Sequence, residues 1–196
     1  MNKLRITLFL LLLSYLAVLL TGCNVVNDIT GKDDDAPENS LHPVLLNGEW
    51  GYINRQGSLE VRPQFDVARV FQNGYAAVGM NGSWGFISEE SKQVVVAPSF
   101  NFVGDFTENG LTPAQNLGEQ YGYINSAGEF AISPQFDLAL AFSEGRAPVR
   151  IDGQWGYIDD TGTQIIEVQY SDARPFSDGM AAVETFDGWV YIDENG

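Results

Sequence analysis

Apolar and polar residues alternate along several short stretches of this chain. Residues 59–65 carry Leu, Val, Pro and Phe at every second position with polar residues between them, and residues 130–136 repeat the pattern with Phe, Ile, Pro and Phe. Alternation with a period of two is typical of a β-strand that buries one face. No window shows the i, i+3, i+4, i+7 spacing of an amphipathic helix. The pattern therefore predicts an all-β protein.

These strands recur at a fixed interval. Five aromatic-led segments mark the period, at intervals of 34, 37, 34 and 34 residues: Trp50-Gly-Tyr-Ile, Trp84-Gly-Phe-Ile, Tyr121-Gly-Tyr-Ile, Trp155-Gly-Tyr-Ile and Trp189-Val-Tyr-Ile. Self-similarity of this kind indicates a repeat architecture. Tetratricopeptide helical hairpins share a 34-residue period, but the glycines and prolines in each unit disfavour helices of that length.

Turn residues predict how the strands join. Asn-Gly or Asp-Gly between apolar runs is a strong signal for a tight hairpin, and such pairs precede four of the aromatic segments: Asn47-Gly48, Asn81-Gly82, Asp152-Gly153 and Asp187-Gly188. Four-residue turns that begin with Asn or Asp and end with Gly follow the aromatic segments. Each unit is thus predicted to be a three-stranded antiparallel meander. We name its strands a, b (the aromatic segment) and c (ending Pro-Gln-Phe).

The hairpin register predicts what covers each meander. Pairing through Asn81-Gly82 places Val78 of strand a opposite Gly85, so the glycine is expected to make room for strand a. Both faces of the meander are then apolar, and it must lie between neighbours. We expect tandem repeats of about 34 residues in an open solenoid or superhelical stack. Propeller-like closure is the alternative, although propeller blades have four strands unless the connector supplies the fourth.

The recurring motif resembles a known family. Trp-Gly-Tyr-Ile-Asp, a turn Gly and then Pro-Gln-Phe-Asp resemble the WG repeat, a β-rich repeat of secreted and lipid-anchored bacterial proteins, from about Val44 to Gly196. The departures are Tyr121 for Trp, Val190 for Gly, and Val-Gln-Tyr at 168–170. The resemblance implies a repeat scaffold that binds a partner, and it carries over no catalytic residue.

The N-terminus resembles an export signal. Lys3 and Arg5 precede an apolar run over residues 6–20, as in a secretory signal peptide. The run ends in Leu-Thr-Gly-Cys, which resembles the lipobox at which bacterial lipoproteins are acylated and cleaved. Residues 1–22 are therefore predicted to be a lipoprotein signal peptide and Cys23 the lipidated residue, because two or three acyl chains anchor a protein stably. The alternative is an ordinary signal peptide with an incidental buried cysteine.

The predicted mature chain has two parts. Residues 23–42 are interpreted as a disordered acidic tether, and residues 43–196 as the repeat array, with four full units and an incomplete fifth. The aspartates at 33–35 lack the alternate spacing of a calcium loop and are interpreted as a solvated spacer. Asn24 is not the aspartate that retains lipoproteins in the inner membrane, which favours the outer membrane if the source is Gram-negative. The fifth unit reaches Gly196 without a strand c, so either strand b is a free edge or the native chain is longer.

Charge excludes one class of partner. The chain has 10 basic and 26 acidic residues, and removal of residues 1–22 takes away Lys3 and Arg5, which leaves 8 minus 26, or −18. Nucleic acid would be repelled rather than neutralised by such a surface. We expect the membrane, through Cys23, and an unidentified protein or envelope glycan as partners.

Candidate catalytic chemistry is sparse. His42 is the only histidine, which removes Ser-His and Cys-His nucleophiles and histidine-based metal sites. Acidic residues lie mostly in turns, where a solvated role is ordinary, so a catalytic acid pair is not expected. We predict no enzyme activity, no cofactor and no metal.

The aromatic leaders are the candidate binding residues: Trp50, Trp84, Tyr121, Trp155 and Trp189. Aromatic faces offer a large contact area at low entropic cost, so they suit a ladder for glycan or peptidoglycan. The alternative is that residues repeated in every unit hold the units together. Specificity would then depend on residues that vary between units, such as Arg69, Arg146, Arg150 and Arg174. The prediction is a lipid-anchored, extracytoplasmic binding or scaffold module, with envelope-glycan binding as the alternative function.

Overall fold

The computed structural model describes residues 40–196. The predicted signal peptide, the predicted lipidation site Cys23 and the aspartates at 33–35 lie outside the described residues. Within residues 40–196 the secondary structure consists of strands and turns without a helix, as the alternation predicts. Accordingly, this part of the chain holds no helix long and apolar enough to cross a membrane.

Strands in this region form five small antiparallel sheets, one for each aromatic segment. Their bounds are β1 His42–Leu46, β2 Glu49–Ile53 and β3 Leu59–Phe65 in the first sheet; β4 Val67–Ala68, β5 Tyr75–Met80, β6 Ser83–Ser88 and β7 Val94–Phe100 in the second; β8 Phe102–Val103, β9 Thr112–Gln115, β10 Tyr121–Ile124 and β11 Phe130–Phe136 in the third; β12 Leu138–Ala139, β13 Ala147–Ile151, β14 Gln154–Ile158 and β15 Gln164–Tyr170 in the fourth; and β16 Asp172–Ala173, β17 Ala181–Thr185 and β18 Gly188–Ile192 in the fifth. Leu41, just before β1, is already buried.

The connectors add a strand that the alternation did not predict. Each of the last four sheets begins with a two-residue strand that pairs with strand a, for example Val67 with Gly79. Only Asp66 separates β3 from β4, so the chain passes from one sheet directly into the next. The predicted three-stranded meander is therefore the core of a larger unit. A two-residue strand is too short to show a periodicity, which is why the pattern missed it.

The hairpin between strands a and b follows the predicted register. Val78 pairs with Gly85 and Gly79 with Trp84. The turn residues Asn47, Asn81 and Asp152 have φ near +50°, the left-handed conformation that tight hairpins require. The fifth sheet differs, because Thr185 pairs with Gly188. The prediction of an Asp-Gly turn there was wrong by one residue, and the turn is Phe-Asp at 186–187.

The glycine after each of the first four aromatic leaders faces strand c rather than strand a. Strand c bulges against strand b, since Trp84 pairs with Phe100 but Phe86 pairs with Val96. A Cβ on Gly85 would lie 2.3 Å from the Val96 carbonyl oxygen, far inside contact distance. The expectation that this glycine makes room for strand a was therefore wrong. The corresponding distances to the strand c carbonyl oxygens are 2.4 Å at Gly51, 2.5 Å at Gly122 and 2.6 Å at Gly156.

Valine takes this glycine position in the fifth sheet. Val190 is 43% exposed, and within the described residues β18 pairs only with β17. No strand c carbonyl therefore approaches its side chain there. Val190 therefore stands, within residues 40–196, in the one sheet that has no paired strand c.

Neighbouring sheets pack face to face, as the two apolar faces predicted. Val78 and Ile87 of the second sheet join a buried cluster with Tyr52 and Phe65 of the first. On its other face Phe86 joins a cluster with residues of the third sheet. Two further clusters continue the series through the third, fourth and fifth sheets. The core is thus a row of layers between sheets, each of which depends on its neighbours.

Candidate functional site

The five aromatic leaders differ in exposure. Trp155 is 7% exposed and belongs to the cluster between the fourth and fifth sheets. Trp50, Trp84 and Tyr121 are partly buried and pack against the clusters beside them. Trp189 is 48% exposed. The structure therefore does not bring the five together as one exposed ladder, and Trp189 is the leader most open to solvent.

This difference predicts the behaviour of tryptophan fluorescence. Acrylamide is expected to quench the native protein in two phases, with Trp189 supplying the accessible component. Trp189→Phe should remove most of that component, whereas the matched change Trp155→Phe should remove mainly the protected one. Stern–Volmer plots of the two variants check the prediction. Equal loss of quenching in both would contradict the exposures seen in the structure.

A second aromatic set, which the sequence reasoning did not single out, links successive units. Tyr123 lies two residues after the leader, is fully buried, and donates a hydrogen bond to the carbonyl oxygen of Leu140 in the next connector at 2.7 Å. Its equivalents do the same: Tyr52 to the Arg69 oxygen at 2.9 Å, and Tyr157 to the Arg174 oxygen at 2.8 Å. The sequence did carry a signal for this set, because a tyrosine recurs two residues after the aromatic leader. Each bond satisfies a hydroxyl that would be costly to bury alone.

Burial raises the pKa of Tyr52, Tyr123 and Tyr157 well above the usual value near 10. A raised folded-state pKa gives a contribution to stability that is complete below the unfolded pKa and is lost as pH rises above it. Three such groups predict a fall in the free energy of unfolding of about 4 kcal/mol per pH unit above pH 10. Urea unfolding between pH 8 and 11.5 measures this fall. A flat profile across that range would contradict the burial of these hydroxyl groups.

The arginines proposed to carry specificity are largely engaged by the scaffold. Arg69 lies 4.6 Å from the centroid of the Trp84 ring and 3.2 Å from the Asp105 carboxylate. Comparable pairs of contacts join Arg174 to Trp189 and Asp172, and Arg146 to Phe176 and Glu194. Arg150 has a buried Nε without a hydrogen-bond partner among the described residues. Cation–π contacts of this type contribute about 0.5–1 kcal/mol at exposed sites.

Two carboxyl groups among residues 40–196 have shifted pKa values, and both are lowered. An ion pair and hydrogen bond from Lys92 lowers the pKa of Glu60, and a hydrogen bond from Thr161 lowers the pKa of Asp159. A general acid requires a shift in the opposite direction. Residues 40–196 contain no group of three or more His, Cys, Asp or Glu side chains placed to hold a metal ion. His42 lies exposed in β1.

A cleft with both polar and apolar surface lies where the connector turns of three successive units meet. Its volume is about 620 Å³. We call it the turn cleft, and its lining residues are Asn73, Thr107, Glu108, Asn109, Phe142, Ser143, Glu144 and Gly145. Asn73 and Glu144 have φ near +50° at the tips of their turns. A glycine follows the turn residue in each unit, at Gly74, Gly110 and Gly145. The sequence analysis missed the site because this pattern does not show that the turns of three units meet.

Hydrogen bonds tie the connector turns to one another. Asn73 donates through Nδ2 to the Phe106 carbonyl oxygen at 2.6 Å, and Ser143 donates through Oγ to the Phe176 carbonyl oxygen at 2.7 Å. The backbone N–H of Gly179 donates to Glu144 Oε2 at 3.0 Å. Each bond joins one unit to the next. The side chains lining the turn cleft are therefore held in place by the array itself.

Solved structures that resemble this chain have β-propeller-like folds. A eukaryotic initiation factor matches with a TM-score of 0.54 at 13% identity over 79% of this chain and 49% of its own. Hsv2 of Kluyveromyces lactis matches with a TM-score of 0.50 at 10% identity over 80% and 57%, and the computationally designed Ika8 protein with 0.49 at 10% over 79% and 55%. The chain spans about half the length of these three structures, and at such identities the likeness concerns the fold alone.

Family membership rests on the repeat itself. No curated protein matches the chain. The WG containing repeat matches four times in tandem, over residues 50–84, 84–118, 121–155 and 155–188. These matches begin at the aromatic leaders and cover more than half of the chain. The protein therefore belongs to the WG containing repeat family.

Proposed function

We propose that the protein is a lipid-anchored, extracytoplasmic binding or scaffold module without catalytic activity. The observation that carries the proposal is that recurring and variable residues have different positions in the fold. Those that recur in every unit are used in packing, whereas the turns that vary between units meet at the turn cleft. A rigid array that presents variable turns is suited to recognition. The lowered pKa values of Glu60 and Asp159 add no support for a catalytic role.

We further propose that the units form an open array rather than a closed ring. Phe65 and Val67 stand two positions apart, so at most about 7 Å separates their Cα atoms. A propeller connection must cross a blade of four strands, about 14 Å wide. This short connection favours the open array, and propeller-like closure remains the alternative.

Envelope glycan binding through exposed aromatics is the second candidate function. The fifth unit favours it, because Phe186 is fully exposed and Trp189 and Tyr191 are 48% and 75% exposed. Aromatic faces of this kind can stack on sugar rings. Native protein titrated with cell-wall glycan should then show a fluorescence shift that Trp189→Phe abolishes.

Lipidation is tested by metabolic labelling. The wild-type chain is expected to incorporate a lipid precursor and to fractionate with membranes, because Cys23 would carry the acyl chains. Cys23→Ser should lose both properties. Label of equal intensity on both proteins would contradict lipidation at Cys23.

Partner binding is tested by capture from an envelope extract. The full chain, solubilised in mild detergent, should retain a specific component of the extract. The control is the Cys23→Ser protein unfolded in urea beforehand, which should not retain that component. A chain that retains nothing beyond the unfolded control would contradict the binding function.

A further inference from the structure

We propose that the turn cleft binds an uncharged glycan, as a short stretch of neutral sugar units. This inference deepens the proposed binding function and rests on it, but it moves the contact away from the exposed aromatics of the fifth unit. The cleft volume of about 620 Å³ falls within the range of about 300–1,000 Å³ that is usual for small-ligand sites. A small ligand thus fits the cleft by size, and the hydrogen-bonding groups of the lining decide which ligand can bind.

The lining side chains are fixed at one end and free at the other. Asn73 uses Nδ2 on the scaffold, and its Oδ1 has no hydrogen bond within residues 40–196. Glu144 uses Oε2 on Gly179, which leaves Oε1. Asn109 uses Oδ1 on the backbone N–H of Leu111 at 3.2 Å, which leaves its Nδ2 as a donor. Groups already held in place lose little entropy when a ligand binds.

These free groups include both acceptors and a donor. Asn73 Oδ1, Glu144 Oε1 and the Glu108 carboxylate accept hydrogen bonds, and Asn109 Nδ2 donates them. A sugar hydroxyl donates and accepts at once, so it uses both kinds. An ammonium group only donates and a phosphate chiefly accepts, so each leaves part of the lining unpaired.

Charge selects among glycans. Glu108 and Glu144 line the cleft, and no basic residue is part of the lining. Arg146 follows the lining in sequence, but its guanidinium pairs with the Glu194 carboxylate at 3.0 Å and donates to the Glu144 carbonyl oxygen. Residues 40–196 as a whole carry 21 acidic and 7 basic side chains, or a net charge of −14. Uronate or sialate sugars would bring a further negative charge to this surface. The cleft therefore favours neutral hexose and N-acetylhexosamine units.

Calorimetry and saturation-transfer NMR on the full chain in detergent test the proposal. The probes are neutral oligosaccharides of hexose and N-acetylhexosamine, an oligogalacturonate of the same length, and spermidine as the cationic probe. Saturable binding is expected for a neutral oligosaccharide and for neither charged probe. Glu144→Ala should weaken that binding about tenfold or more, since a hydrogen bond to a charged group is lost.

Asp178→Ala is the matched control. Asp178 occupies the equivalent turn position in the fifth unit, with φ +55° against +51° at Glu144, and it lies outside the cleft lining. The backbone cost of alanine is thus similar in both variants, while Asp178→Ala should leave glycan affinity unchanged. In the double variant Glu108→Gln and Glu144→Gln, the oligogalacturonate should begin to bind.

Each other outcome overturns the cleft assignment. These outcomes are no binding by any neutral probe, preferential binding of spermidine, and glycan binding that is lost in Trp189→Ala but kept in Glu144→Ala. The proposed function fails separately, when envelope capture returns nothing. A protein partner captured equally by wild type and Glu144→Ala would support the binding module and reject the glycan cleft.

Discussion

Gly85→Ala is expected to destabilise the protein by about 3–5 kcal/mol, at the upper end of what single substitutions do. The added Cβ would lie 2.3 Å from the Val96 carbonyl oxygen, so strand b and strand c cannot keep their spacing. The obstacle is backbone, which cannot rotate away as a flexible side chain does. Because whole-domain stability is about 5–15 kcal/mol, a large part of the native state should be lost. Urea unfolding followed by circular dichroism measures the change.

Gly79→Ala provides the control in the same sheet. Gly79 lies in strand a opposite Trp84, and a Cβ there would meet its nearest neighbour, the Val67 Cβ, at 3.4 Å, an ordinary contact. We expect a change within about 1 kcal/mol, since alanine also restricts the unfolded chain. Val190→Gly at the motif position of the fifth sheet should likewise cost little. Equal destabilisation by Gly85→Ala and Gly79→Ala would contradict the steric role of the motif glycine.

Tyr157→Ala is expected to cost about 3–5 kcal/mol, the range for deleting a buried aromatic ring. The ring packs edge-on against Phe176 with 5.0 Å between centroids, and its hydroxyl donates to the Arg174 carbonyl oxygen at 2.8 Å. Truncation removes both contacts between the fourth and fifth units. Thermal unfolding should then show the fifth unit melting first, because it loses its only described neighbour.

Two further variants separate the ring from the hydroxyl. Tyr157→Phe keeps the packing and should cost about 1–2 kcal/mol, the usual penalty for an unpaired buried carbonyl. Tyr191→Ala changes the equivalent residue of the fifth unit, which is 75% exposed, and should cost less than about 1 kcal/mol. If Tyr191→Ala lowered the free energy of unfolding as much as Tyr157→Ala does, tertiary packing would not explain the role of this tyrosine.

Much of the unit could be predicted from local chemistry. The Asn-Gly turn at 81–82 determined the pairing of Val78 with Gly85, because that turn fixes which residues face each other. Alternation in the flanking strands then placed Phe86 and Ile87 on opposite faces, and both faces are buried. The same rule failed at 186–187, where the chain turns one residue before the predicted pair.

The site could be predicted only in part. The sequence marked the aromatic leaders as important, yet Trp155 is buried and Trp189 half-exposed, although the two occupy the same position in their units. Exposure depends on whether another sheet covers the position, which local residues do not encode. The turn cleft could not be predicted either. Asn73, Asn109 and Glu144 each precede a glycine in their own unit, but local sequence does not show that the turns of three units meet.

The sequence by itself determined the β class, the repeat period, the hairpin register and the need for neighbours on both faces, since each follows from interactions between residues close in the chain. Only the tertiary structure decided that Gly85 makes room for strand c, because the Val96 oxygen comes from a bulge formed by long-range pairing. It also decided that the connectors form a fourth strand and that their turns meet in one cleft. Contacts between units determine the fourth strand and the turn cleft, so neither feature can be predicted from residues that are close in the chain.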